Sequence, residues 1–276
     1  MKTHLNALHG ALCIGAQKIM LSLFVLLTAL LPATGQEVYL QTDFMKVEAG
    51  KGQDYVAVEK ELWKKIHQAR INQGDIVAWQ LYQINFTGTN SEYNYATVTV
   101  FENFAKVHSG AITEELLTNA LPEIAMSDII ERTYESRQLV KSELFQNLAT
   151  VGQRGTPSPF LQLDFMHVNQ ENSGMYTEVE TEIWQPIHQE FLNAGQLNFW
   201  GLYQLRYPGG AGGEYQFVTA NAVNDFTQLE SFDYAAAFEK AHSGKDVNDA
   251  MEKTMASREL VRSELWELID YAAKQE

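Results

Sequence analysis

Apolar residues recur at helical spacing in two widely separated stretches of the chain. Tyr55, Val58, Leu62 and Ile66 share one face of a helix predicted over 53–72. Tyr176, Val179, Ile183 and Ile187 share one face of a helix predicted over 174–193. Gly74 and Gly195 stand just past these stretches, where a left-handed C-terminal residue belongs. Strands are predicted near 38–47, 76–85, 93–101 and 160–168. A further helical stretch leads into Ser136-Arg137 and into Ser257-Arg258. A last strand is predicted near 140–148, because three strands would leave a bare sheet edge. Each unit then reads β-α-β-β-α-β. In the second strand Trp79 and Leu81 point one way, and Tyr82 and Ile84 the other. Helices cover one face of such a sheet. The other face needs a second sheet, so the two sheets are expected to pack together.

The two units align at an offset of 121. Leu40-Gln41-Thr42-Asp43-Phe44-Met45 reads against Leu161-Gln162-Leu163-Asp164-Phe165-Met166, and Ser136-Arg137-Gln138-Leu139-Val140 against Ser257-Arg258-Glu259-Leu260-Val261. Two tandem repeats follow, at 36–149 and 160–276. A Gly- and Pro-containing linker at 150–159 joins them.

Residues Met20 to Leu31 form an uncharged apolar run, preceded by Lys2 and Lys18 and followed by Ala33-Thr34-Gly35. That is the pattern of a secretory signal peptide over 1–35, and the run is too short to span a bilayer. Export to the periplasm or the extracellular space is expected, with no membrane association after cleavage. The single cysteine, Cys13, would leave with the leader, so no disulfide or thiolate metal site is expected. The net charge of −15 argues against nucleic acid as a partner.

The spacing Tyr-x₃-Glu-x₃-Trp-x₂-Ile-His, followed by Gly-x₄-Trp-x-Leu-Tyr, occurs in both units. It resembles the dimeric α+β barrel superfamily of ferredoxin-like proteins, and within it the NIPSNAP-like and EthD-like branches. The resemblance covers nearly all of the chain after the leader. It implies an intramolecular pseudo-dimer with a helix–sheet pocket in each repeat. Relatives include haem-binding proteins, cofactor-free monooxygenases and isomerases.

His67 and His188 are the candidate catalytic residues, as general base or axial haem ligand, since imidazole titrates near neutrality. The alternative is a boundary histidine stacked on tryptophan. Glu59, Trp63 and His67, like Glu180, Trp184 and His188, run along one shoulder of the helix. The glutamate and histidine lie about 12 Å apart along the axis, too far to share a metal. No metal site and no resident cofactor are expected, with haem as the alternative. Trp63, Trp79 and Tyr82, with Trp184, Trp200 and Tyr203, are candidate pocket walls for a small apolar or aromatic ligand, or core filling. Arg137 and Arg258 are candidates to meet a carboxylate or a haem propionate, with pairing to a surface acid as the alternative. Pro186 should kink the second helix. Ser109 and Ser243 are expected to cap the helices that follow them. Three functions fit: a small-molecule binder, a haem or monooxygenase-type enzyme, and a structural or surface-interaction protein.

Overall fold

The structure, a computed structural model, describes residues 37–109, 111–153, 155–210 and 212–274. The expected leader, with Cys13, lies outside the described residues. β1 (Tyr39–Lys46) is followed by α1 (Gly52–Val58), a π-helical turn (Glu59–Trp63) and α2 (Lys64–Gln73). β2 (Ala78–Ile84) and β3 (Tyr95–Phe101) come next. Then α3 (Phe104–Ser109), α4 (Glu114–Ala120) and α5 (Met126–Ser136) lead into β4 (Gln138–Val151). The second half repeats this with β5 (Phe160–His167), α6 (Ser173–Val179), a π-helical turn (Glu180–Trp184) and α7 (Gln185–Asn193). It continues through β6 (Phe199–Tyr207), β7 (Phe217–Val223), α8 (Tyr234–Ala241), α9 (Val247–Ser257) and β8 (Glu259–Ala273).

All eight strands close into one antiparallel barrel in the order β1-β3-β2-β8-β5-β7-β6-β4. Each half orders its own strands 4-1-3-2. The last strands make the closure: β4 pairs with β1 and then, through Leu144–Val151, with β6. β8 pairs with β5 and then with β2. This double duty explains their 14 and 15 residues, longer than the predicted 140–148. It also draws Thr150 and Val151 of the expected linker into β4. The eight strands therefore form one closed sheet, and among the described residues no strand is left with a bare edge.

Alternation along the strands separates an inner core from two helix-facing cores. Phe44, Tyr82, Ile84, Phe145, Phe165 and Trp266 fill the barrel. Trp79 and Leu81 face the helices of the first half, and Trp200 and Leu202 those of the second. Inside the barrel each half's tyrosine bonds the other half's glutamate. Tyr93 Oη donates to Glu264 at 2.7 Å, and Tyr215 Oη donates to Glu143.

The predicted helix ends hold. Gly74 has φ +74°, with the amide of Asp75 donating to the carbonyl of Arg70 at 2.9 Å. One expectation is corrected. The helices after Ser109 and Ser243 are capped by Thr113 and Asp246, whose side chains accept from the amides of Leu116 and Asn248. Pro186 lies directly after the π turn, within a helical run that continues from Ser173 to Asn193. The first half has Lys65 there and the same π turn, so proline does not cause it. The wider turn has already interrupted the i→i−4 ladder at that point, and a missing N–H costs little there.

Candidate functional site

The π turn of the second half overlies the sheet at β5 and β7. Between them, α9 and the start of α8 close a cavity of about 330 Å³. Its walls are Asp164 and Met166 of β5, Glu180, Trp184 and His188 of the helix, and Thr219 and Asn221 of β7. Tyr234, Met251 and Arg258 complete them. Strand alternation puts Asp164, Thr219 and Asn221 on the helix side, because their neighbours Leu163, Phe165, Val218 and Ala220 fill the barrel.

His188 is buried and its ring stacks on Trp200, with centroids 5.0 Å apart and planes 17° apart. Burial lowers its pKa to about 3, so it is a neutral imidazole at any physiological pH. Its Nδ1 has no hydrogen-bond partner. Trp184 is held by its indole N–H, which donates to Thr254 Oγ1 at 3.1 Å. Glu180 is buried with its carboxylate 3.5 Å from the Arg258 guanidinium. Burial raises its pKa to about 7, against the downward pull of Arg258 and the Tyr176 hydroxyl, while Asp164 adds to the rise. Arg258 also reaches Met166 Sδ at 3.1 Å. The acid beside this arginine is thus a buried one of the chain itself, not a surface acid.

The first half places Glu59, Trp63, His67 and Arg137 in the same relation. Trp63 donates to Thr133 Oγ1 at 3.0 Å, and His67 stacks on Trp79 at 5.2 Å. Glu59 is raised to about 7 by burial, opposed by Arg137. Some contacts differ. Among the described residues Arg137 has no ion pair with Glu59 to match that of Arg258 with Glu180. Arg70 donates to His67 Nδ1 at 3.1 Å, and together with burial this holds the imidazole pKa well below its ordinary value.

Of the predicted residues, the cavity gathers Trp184, His188 and Arg258, with Trp200 stacked beneath the histidine. Trp63, His67, Trp79 and Arg137 are grouped on the helix side of the first half. Tyr82 and Tyr203 belong to the barrel interior, away from both groups. Sequence reasoning did not select Asp164, Thr219, Asn221, Tyr234 or Met251. A signal for the first three was present: polar residues alternating with apolar ones on strands whose two faces are both buried.

Haem is a poor match to this cavity. About 330 Å³ lies at the small end of the range for ligand pockets. The walls carry two carboxylates, and their one arginine already faces Glu180. Among the described residues no second cation lines it to meet a propionate. Among the described residues no group of three or more His, Cys, Asp or Glu could hold a metal ion.

No protein-family model matches the chain, and no curated protein matches it. Solved structures do. A candidate monooxygenase from Fusobacterium nucleatum subsp. nucleatum aligns with a TM-score of 0.54 at 11% identity, over 87% of this chain and 96% of that one. An anthrone oxidase-like protein aligns at 0.52 and 10% identity, over 89% and 97%. A candidate monooxygenase from Lactobacillus acidophilus NCFM aligns at 0.51 and 7% identity, over 86% and 96%. At such identities the likeness shows the fold alone, which is that of the α+β barrel proteins.

Proposed function

We propose that this chain binds a small aromatic molecule in the cavity of its second half. The observation that carries the reading is His188, a buried neutral imidazole with an unpartnered nitrogen, lining a cavity walled by Trp184 and Tyr234. Aromatic walls favour a flat ring, and the unpaired nitrogen offers it one fixed hydrogen bond. Titrating phenol against the tryptophan fluorescence tests this. Saturable binding is expected in the wild type, at least tenfold weaker in His188→Leu. Equal affinity in the two proteins would remove the reading.

A second reading is favoured by Glu180. Burial makes His188 a weak base, whereas a carboxyl near pH 7 is matched to proton abstraction under ordinary conditions. Glu180 would accept a proton from a bound O–H or C–H acid, as a cofactor-free monooxygenase-type reaction requires. The names of the structural neighbours lend this reading support. A bound phenol whose ionisation, followed by ultraviolet absorbance, is unchanged by Glu180→Gln would count against it.

Three broader readings belong to the same proposal. The chain is an intramolecular pseudo-dimer of ferredoxin-like halves, supported by the shared strand order. Its motif spacing resembles that of the NIPSNAP-like or EthD-like branch. It is exported after cleavage near Gly35, and N-terminal sequencing of the mature protein tests that.

A further inference from the structure

The two halves differ chemically at the cavity, and the differences share one sense. In the second half two buried polar atoms on the helix and the strand stand unpaired beside the Arg258 Nε: Oδ1 of Asn221, an acceptor, and Nδ1 of His188, which accepts when the imidazole proton sits on Nε2. These residues are 5% and 4% exposed, and both line the same cavity. In the first half neither orphan exists. Arg70 donates to Nδ1 of His67, and the residue 121 positions later is Phe191, which has nothing to donate. Asn221 faces Gln162 and Trp200 across its strand pairs. The residue facing Gln41 and Trp79 in the same way is Thr99.

Buried acceptors are seldom left unpaired in proteins, and two in one cavity call for a donor from outside. The hydroxyls of Thr219 and Tyr234 and the Nε of Arg258 line the same cavity, but none of them reaches either atom. The Trp184 N–H is taken by Thr254, and the Arg258 guanidinium faces Glu180. Asp164 and Glu180 add further acceptors. A molecule entering this space is therefore selected for donors as well as for a flat ring.

Resting on the reading of the cavity as an aromatic-ligand site, we infer that its ligand is an aromatic with two hydrogen-bond donors, of the dihydroxybenzene class, bound once per chain. One hydroxyl meets His188 Nδ1 and the other Asn221 Oδ1. The first half takes none, because Arg70 already occupies the histidine.

Isothermal titration of the full chain with the three dihydroxybenzene isomers, their dimethoxy analogues and phenol tests this. At least one dihydroxybenzene is expected to bind at one per chain, about tenfold tighter than phenol and more than tenfold tighter than its dimethoxy analogue. Asn221→Thr copies the residue the first half uses at that strand position. It is expected to remove the preference, bringing the dihydroxybenzene to within about twofold of phenol in the same variant. A dimethoxy analogue binding as tightly as its parent overturns the ligand class while the aromatic site stands. Two ligands per chain overturns the asymmetry. If neither phenol nor any dihydroxybenzene binds, the site and the ligand class fall together.

Discussion

Replacing Glu180 with glutamine separates the cost of its ionisation from every other pH effect in this protein. Burial moves the Glu180 pKa from 4.5 to about 7 in the folded chain. The folded state therefore binds more protons than the unfolded one between those values. Its stabilising effect is complete below about pH 4.5 and is lost as the pH rises through about 7. At about 1.4 kcal/mol per pKa unit the loss amounts to about 3 kcal/mol. His188 acts in the opposite direction. Its pKa is lowered from 6.5 to about 3, so it removes stability as the pH falls below 6.5. That effect is common to both proteins, because burial alone shifts His188, and it cancels in the comparison. Glutamine resembles the protonated acid at every pH. Urea unfolding of wild type and Glu180→Gln at pH 4.5, 6, 7 and 8 should show the variant gaining about 3 kcal/mol relative to wild type across the series. Parallel curves would mean that Glu180 titrates normally. A gap opening in favour of wild type at high pH would mean that the Arg258 pair outweighs burial. Either result refutes the electrostatic account of the site.

Three other outcomes follow from the packing. Gly152 leaves β4 at φ +87°, and a Cβ there would lie 2.6 Å from the backbone oxygen of Asn198. Gly152→Ala should cost about 2 kcal/mol in chemical denaturation, and a neutral result would show that the β4–β6 junction yields easily. Thr254→Val leaves the Trp184 N–H without its acceptor and should cost about 1–3 kcal/mol, seen as a lowered Tm. A chain cut to residues 37–151 exposes the edges that β8 and β6 cover. It should run as a dimer by light scattering, and a stable monomer would contradict the role given to barrel closure.

Much of the fold was legible because its causes are local. The stripe Tyr55, Val58, Leu62, Ile66 could only be a helix face, and the opposed pairs Trp79/Leu81 and Tyr82/Ile84 required cover on both sides of a strand. Closure was less legible. Nothing near Leu144–Val151 in sequence indicates that this segment pairs with β6, about 50 residues away. The π turns at Glu59 and Glu180 were also hidden, because they are a choice among backbone hydrogen bonds that hydrophobic spacing does not encode. The serine caps failed for a related reason: Thr113 and Asp246 are equally good caps, and only the path of the chain selects between them.

The sequence by itself determined the elements and the Glu-Trp-His shoulder of each helix, since these depend on side-chain period and on residues a few positions apart. Only the tertiary structure decided that Asp164, Asn221, Tyr234 and Met251 surround His188, because four separate elements deliver them. Only it decided that the two histidines differ, because Arg70 reaches His67 while Phe191 stands in its place. Such differences arise from burial and from unpaired atoms, which exist only once the chain has closed around them.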